Sequence, residues 1–236
     1  MTTFTITGEI DPFLHVSMQQ GDKIYCESGA MVMMESNLSL KGSMTGGLGG
    51  ALMRRLANGE SFFQQHIEAL DGDGDCLLSP ALPGAIELLD LGKTQYLLND
   101  GAFVAATDGT DLKVRTQNIG NALFAQSGGF FVMETAGTGQ MAVSGLGSIF
   151  TLDVEPGKDM TIDNAHVVCW DNRLDYSISV ATRNSGSGLS GMLGGLVNSA
   201  TSGEGIVLKF SGAGKVYVCS RNPSSFAKLF AQNAGS

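Results

Sequence analysis

Short runs in which apolar and polar residues alternate occur along the whole chain, with the period of two that is typical of β-strands. Turns rich in Gly, Asn and Asp separate these runs. The runs predicted as strands are 3–8, 14–18, 24–26, 31–34, 62–70, 76–79, 85–91, 95–98, 103–106, 112–115, 130–134, 140–143, 149–154, 159–162, 166–170, 174–180, 206–210 and 215–219. The pattern predicts an all-β fold class.

Three local patterns recur in the same order, which predicts three fused β-sandwich or barrel-like repeats. A small residue before an apolar strand start is found at 29–32, 101–104 and 164–167. An apolar pair after Gly, Glu or Ser is found at 60–63, 128–131 and 204–207. A Gly-x-Gly turn, interpreted as a hairpin tip, is found at 72–74, 137–139 and 212–214. The repeats are placed at about 1–82, 83–146 and 147–222.

The composition favours one compact unit over 1–236 rather than separate domains. No Pro/Ser-rich linker divides the repeats, and 33 glycines with only 16% charged residues suit tight turns around an apolar interior. Pro223 begins a predicted C-terminal helix over about 223–234, with Phe226, Leu229 and Phe230 on one face.

Two glycine-rich segments, 42–59 and 186–203, interrupt the alternation at matching places in the first and third repeats. Both carry apolar residues at helical spacing, namely Leu48, Leu52, Met53, Leu189, Met192, Leu193 and Leu196. One interpretation is a short helix that closes the end of the repeat. The other is a mobile contact loop, with Arg54 and Arg55 at its polar rim, that docks on a protein partner or a membrane surface.

The charge and the termini restrict the partners and the compartment. A formal net charge of −9 opposes binding to phosphate backbones, so nucleic acid is an unlikely ligand. The N-terminal residues alternate like a strand and lack the features of a signal peptide, and no apolar run is long enough for a transmembrane helix. Four cysteines without a CxxC pair are expected to be reduced and buried, which predicts a cytoplasmic protein.

Candidate catalytic and metal-binding motifs are incomplete. Asp71, Asp73 and Asp75 have the spacing that begins a calcium loop, but Cys76 and Leu82 occupy its glycine and glutamate positions, which favours a turn. The three histidines lie in different contexts, and no nucleophile elbow, phosphate loop or dinucleotide motif occurs. Neither a cofactor nor a catalytic set is predicted.

One pair of carboxylates is shared between repeats. Glu60 and Glu204 hold equivalent places in the first and third repeats, as turn or cap residues or as binding groups.

Seven motifs, taken in order, resemble the altered-inheritance-of-mitochondria 24 family over nearly the whole chain. They are Gly29-Ala30-Met31-Val32-Met33, Gly59-Glu60-Ser61-Phe62-Phe63, the segment 78–84, Asp100-Gly101-Ala102-Phe103-Val104-Ala105, the segment 163–170, Gly203-Glu204-Gly205-Ile206-Val207-Leu208, and the segment 214–223. The resemblance implies three modules similar to the subunit of tryptophan RNA-binding attenuation protein, arranged with pseudo-threefold symmetry. It implies no known enzymatic activity. Fungal mitochondrial relatives are linked to inner-membrane organisation.

The resemblance is limited in two respects. The second repeat has Ser127-Gly128-Gly129 where the family has Gly-Glu-Gly, which departs from a threefold ring of carboxylates. No lysine or arginine stripe matches the RNA-binding edge of the attenuation protein, so its function does not carry over.

Two functional hypotheses follow. The first is a non-catalytic interaction or scaffold protein, with a protein partner, a membrane surface or a homo-oligomer in contact with the two glycine-rich segments. The alternative is a small-ligand-binding protein or an enzyme, with a site at the pseudo-threefold axis or between repeats.

Overall fold

The computed structural model of the protein describes residues 1–42, 65–116, 131–180, 206–223 and 225–226, and these ranges form strands almost throughout. The strands are β1 Thr3–Thr7, β2 Phe13–Met18, β3 Lys23–Cys26, β4 Met31–Met34, β5 Leu38–Gly42, β6 Gln65–Ala69, β7 Gly74–Leu78, β8 Gly84–Leu91, β9 Tyr96–Leu98, β10 Phe103–Thr107, β11 Thr110–Thr116, β12 Phe131–Gly137, β13 Gly139–Leu146, β14 Ile149–Val154, β15 Met160–Asp163, β16 Val167–Asp171, β17 Asp175–Val180, β18 Ile206–Ser211 and β19 Gly214–Cys219. A single 3-10 turn, Asn164–His166, precedes β16 in this part of the chain. The all-β prediction is confirmed.

The strands form four antiparallel sheets, and in the described residues none of these closes into a barrel. Sheet 1 has the order β1-β2-β7-β4, and sheet 2 has the order β5-β6-β3-β10-β13-β8. Sheet 3 has the order β11-β12-β9-β16-β19-β14, and sheet 4 has the order β15-β18-β17. The order of sheet 3 is that of sheet 2 with every strand number raised by six.

The strands form because their apolar residues have the period of the pleat. In β2, Leu14, Val16 and Met18 are buried while the residues between them are not. In contrast, β10 and β16 lie inside six-stranded sheets, and almost all of their residues are buried on both faces. The sequence prediction missed β5, although Leu38 and Leu40 alternate there with polar residues.

The Gly-x-Gly motifs are corners between sheets, so their interpretation as hairpin tips is wrong. The strands on either side of each motif, β6 and β7, β12 and β13, or β18 and β19, belong to different sheets. The first glycine of each motif has a positive φ: 146° at Gly72, 89° at Gly137 and 104° at Gly212. This conformation suits glycine and lets the chain turn from one sheet into the next.

The core consists of three apolar clusters, and each of them contains residues from distant parts of the chain. The first combines Leu14 and Ile67 with Val104, and the second combines Leu98 with Val168. The third surrounds Trp170, which makes edge-to-face contacts with Phe210 at 5.5 Å and with Tyr176 at 5.0 Å between ring centroids. Packing therefore joins the sheets through residues far apart in the sequence.

The described chain ends at the start of the predicted C-terminal helix. The backbone N–H of Phe226 donates to the carbonyl of Asn222 at 3.0 Å, and the Asn222 side chain accepts from the N–H of Ser225 at 3.2 Å. These bonds resemble an N-terminal cap. The rest of the helix predicted over 223–234 lies outside the described residues.

Candidate functional site

The residues predicted as contact or binding positions lie outside the described part of the chain. They are Leu48, Leu52, Met53, Arg54, Arg55, Glu60, Leu189, Met192, Leu193, Leu196 and Glu204. Candidate sites among the described residues therefore come from the sheets and the turns between strands.

The aspartates of the first Gly-x-Gly corner make contacts within the fold. The Asp73 carboxylate accepts a hydrogen bond from the backbone N–H of Gln20 at 2.7 Å. The side-chain amide of Asn37 donates to the Asp73 carbonyl at 3.0 Å, and His15 Nε2 lies 3.5 Å from Asp75 Oδ1. In the ranges that the structure describes, no group of three or more His, Cys, Asp or Glu residues could hold a metal ion.

All four cysteines are free and buried, as the sequence predicts. Burial and, to a lesser extent, the Glu27 carboxylate raise the pKa of Cys26 to about 12. Burial is also the main reason that the pKa of Cys76 rises to about 12. Burial likewise raises the pKa of Cys169 well above its ordinary value. These thiols are protonated at neutral pH and are poor nucleophiles or metal ligands.

Two strand pairs connect distant parts of the chain in the same way, and we call them junctions. The first junction pairs β3 with β10, and the second pairs β9 with β16. β10 has a bulge at Val104 where it pairs with β13, and β16 has a bulge at Val168 where it pairs with β19. Across the first junction, the Val104 carbonyl accepts a hydrogen bond from the N–H of Glu27 at 2.8 Å. Across the second, the Val168 carbonyl accepts one from the N–H of Asn99 at 2.9 Å.

Strand β4 has the same construction but no junction. It pairs with β7 through a bulge at Val32, and it lies at the end of sheet 1 with its other edge unpaired in the described structure. Val32 is 54% exposed, whereas Val104 is 0% and Val168 is 2% exposed. A position that is apolar and buried in β10 and β16 is thus apolar and exposed in β4.

Strand β15 is the corresponding edge strand of sheet 4, and its outer edge is unpaired in the described structure. It pairs with β18 and ends sheet 4, whereas β3 and β9 have the same place in sheets 2 and 3 and continue into a junction. Asp163, at the end of β15, lies five residues before the bulge valine Val168. In the same way, Glu27 lies five residues before Val32, and Asn99 lies five residues before Val104. The described strands therefore include both halves of a third junction, unjoined.

A cavity of about 410 Å³ lies beside these junctions. Its wall is formed by the turns that follow β3, β9 and β15, at Glu27, 99–102 and 164–165, and by residues at the ends of β7, β13 and β19. No lysine or arginine lines it among the described residues. The volume is within the range of small-molecule sites.

Polar groups of the cavity wall differ between the two junctions. The side-chain amide of Asn99 donates across the second junction to the carbonyls of Asn164 at 2.9 Å and Val167 at 3.0 Å. Glu27 has the matching place at the first junction, and burial together with the nearby Asp100 carboxylate raises its pKa to about 7. The cavity therefore holds a carboxyl group that changes charge near neutral pH.

Sequence reasoning missed the features that distinguish this region. The repeated small-residue motif correctly predicted where β4 and β10 begin. In the third copy the motif was placed one residue too early, at 164–167, because the bulge valine is Val168 and not Val167. A signal for β4 was present, since Met31-Val32-Met33-Met34 is continuously apolar, as interior strands are.

Comparison with known proteins identifies relatives over nearly the whole chain. A family model described as Mitochondrial biogenesis AIM24 matches residues 4–221. An uncharacterised protein of Streptococcus pyogenes serotype M6 is 39% identical over 231 residues, which cover 95% of this chain and 88% of that protein. A crystal structure of a Streptococcus pyogenes protein is similar with a TM-score of 0.80 and 36% identity, over 99% of this chain and 100% of that one. In the described residues, no helix has the length and hydrophobicity needed to cross a membrane.

Proposed function

Because this chain belongs to the Mitochondrial biogenesis AIM24 family, we propose that it is a non-catalytic interaction protein that binds another polypeptide by strand addition at the free edge of β4. The observation that supports this is the 54% exposure of Val32, whose counterparts in β10 and β16 are buried. An unpaired apolar edge strand is a ready template for a further strand.

The proposal includes an arrangement of three six-stranded modules in series. The constant difference of six between the strand numbers of sheets 2 and 3 supports it, as do the three Gly-x-Gly corners. The modules would comprise about 1–82, 83–146 and 147–222, with β1 as an addition to the first, and the turns that follow β3, β9 and β15 would lie along the cavity. A closed pseudo-threefold arrangement would also pair β15 with β4 of the same chain, and the described strands do not include that pair. The helix over 223–234 would cover one end.

The glycine-rich segments 42–59 and 186–203 are proposed as secondary contact elements, toward a protein or a membrane surface. Their apolar residues at helical spacing support this role. Free, buried cysteines support a cytoplasmic location, where thiols stay reduced.

A photo-crosslinking amino acid at Met33 tests the proposed edge in cells. Met33 is 40% exposed and follows the bulge of β4. The matched control is the same substitution at Leu70, which is 49% exposed in the turn after β6. We expect a protein adduct at position 33 that is absent at position 70. Equal labelling at both positions, or none at position 33, would refute strand addition at β4.

A second candidate function is the binding of a small positively charged molecule in the cavity. Glu27 and Asp100 place two carboxyl groups in its wall, while no described lysine or arginine balances them there. A cation near Glu27 would stabilise its charged form and lower its pKa.

Thermal unfolding with a panel of small amines distinguishes this candidate from an interaction protein. An amine that raises the Tm of the natural protein but not of Glu27→Gln would support a ligand site. If no amine shifts the Tm of the natural protein, the cavity candidate is rejected and strand addition is unaffected.

A further inference from the structure

We propose that the free edge of β4 binds β15 of a second copy of this chain, and that the two strands complete a sheet of the kind seen in sheets 2 and 3. The combined order is β17-β18-β15 from one copy followed by β4-β7-β2-β1 from the other. This inference rests on the proposed function, because it names the polypeptide that adds to β4.

The two existing junctions define the register of the third. Immediately after the bulge valine, Ala105 is opposite Cys26 in the first junction, and Cys169 is opposite Leu98 in the second. Cys26 and Leu98 directly precede Glu27 and Asn99, whose N–H groups donate to the valine carbonyls. The same register places Met33 opposite Ile162, and it directs the N–H of Asp163 to the carbonyl of Val32.

The side chains on the two edges suit this register. Met33, Met34 and Ile162 are apolar, and the corresponding positions in the existing junctions are apolar as well. β4 carries no charged residue, and β15 carries only Asp163, at its end. Pairing would therefore cover Val32 and Met33 without burying an unpaired charge between the strands.

A second copy is favoured because the junctions are head-to-tail. Each uses a strand of the β3 type from one part of the chain and a strand of the β10 type from a later part. Such a series ends with one unused strand of each type, β4 and β15, and these are the complementary halves of an interface between copies. Head-to-tail contacts generate closed rings when the rotation between copies permits it, the smallest having two copies.

Cross-linking of two single variants tests the register. One chain carries Met33→Cys and the other carries Ile162→Cys, and residues opposite each other in an antiparallel pair are close enough for a disulfide. After mild oxidation of the mixture, we expect a covalent dimer that neither variant forms alone. The natural protein is the control for its four buried cysteines, and Leu70→Cys mixed with Ile162→Cys is the control for random collision.

A double variant separates pairing between chains from closure of one chain. If Met33→Cys and Ile162→Cys on the same chain give only a cross-linked monomer at all protein concentrations, β4 and β15 join within one copy and the second-copy proposal is wrong. Absence of any cross-link in both experiments would also overturn it. Circular dichroism of each variant verifies that it is folded.

The mass of the full chain in solution provides an independent measurement. Light scattering is expected to give a dimer or a larger closed assembly that Val32→Lys converts to monomer, while Leu70→Lys leaves it unchanged. A strictly monomeric natural protein would refute the proposal. If the photo-crosslinker at Met33 captures a different protein instead, this inference fails while the proposed function stands.

Discussion

Glu27 and Asn99 directly follow strands of the β3 type, and Asp163 is the last residue of β15. Each of the three precedes a bulge valine by five residues, but their side chains make different contacts. The side-chain amide nitrogen of Asn99 lies within hydrogen-bond distance of three oxygens across the second junction, and its two hydrogens are shared among them. Asp163 accepts from the N–H of Ala165 at 3.0 Å and so caps the 3-10 turn. Glu27 cannot donate when ionised, and it lies near the Asp100 carboxylate. We therefore expect the first junction, where Glu27 lies, to depend on pH near neutrality.

The first prediction is that Glu27→Gln flattens the pH dependence of stability. The pKa of Glu27 is about 7 in the folded protein against an ordinary 4.5, so the folded state binds the proton more tightly. Its contribution is therefore fully present below pH 4.5 and is lost as the pH rises through 7. Relative to the natural protein, we expect Glu27→Gln to gain about 1–2 kcal/mol between pH 4.5 and 8 after allowance for solvent screening.

Urea unfolding followed by Trp170 fluorescence measures this difference, because Trp170 is the only tryptophan and is fully buried. Glu9→Gln, at an exposed glutamate before β2, is the control. Parallel stability curves for the natural protein and Glu27→Gln would contradict the prediction.

The second prediction concerns the reactivity of the cysteines. All four are buried, and burial raises the pKa of each thiol. We expect a thiol reagent to modify none of them within minutes at pH 8 in the native protein and all four in urea. Rapid stoichiometric labelling of a native thiol would show that one of the sheets opens readily.

At the level of elements, the Gly-x-Gly corners explain why this short motif recurs. The first glycine adopts a positive φ, and the second lies close to a side chain from an earlier part of the chain. A Cβ on Gly74 would lie 3.0 Å from the Leu38 side chain, and a Cβ on Gly214 would lie 3.0 Å from that of Leu174. Glycine therefore suits both places of the motif, for different steric reasons.

The third prediction is that Gly137→Ala is severely destabilising. Gly137 has a φ of 89°, and an added Cβ would lie 2.1 Å from the Gly109 carbonyl oxygen, so the backbone must shift. We expect a loss of about 2–4 kcal/mol in the free energy of unfolding. Gly157→Ala is the matched control, since its φ is 81° but nothing lies within 4 Å of the added Cβ.

For that control, only the conformational cost of about 1–2 kcal/mol is expected. Urea denaturation of both variants checks the comparison. Equal losses would mean that backbone conformation alone, and not the contact with Gly109, accounts for the effect.

Most individual strands could be predicted from the sequence, but their pairing could not. Alternation identified β2 and β7 because each has one buried and one solvated face. The same local signal cannot show that β3 pairs with β10, more than seventy residues away. Glu27 was missed as a site residue for a related reason: its altered pKa comes from burial and from Asp100, and both depend on the turns meeting in space.

Considered as a whole, the molecule combines a strongly acidic charge with sheets that end in unpaired edges. The net charge is −9, and most ion pairs in the described residues are at least partly exposed, such as Lys215 with Asp153 at 2.7 Å. Pairs of this kind contribute little to stability. The acidic surface instead limits which large partners can approach the edges.

The fourth prediction is that the protein does not bind single-stranded RNA with sub-micromolar affinity at about 150 mM salt. Its net charge opposes counterion release, which supplies most non-specific binding to nucleic acid. Fluorescence anisotropy with a labelled oligonucleotide is the measurement. A dissociation constant below about 1 µM that weakens steeply with salt would reveal a basic surface on the chain.

The junctions also determine when the chain can fold as it leaves the ribosome. β3 ends at Cys26, but its partner β10 is complete only when Thr107 has been added. At about 5–20 residues per second, synthesis of the intervening chain takes roughly 4–16 s, during which the edge of β3 that pairs with β10 is uncovered. Sheet 3 imposes a similar delay, because β9 must wait for its partner β16. The nascent protein is thus expected to depend on holding chaperones during translation, and a slower ribosome should lower its soluble yield.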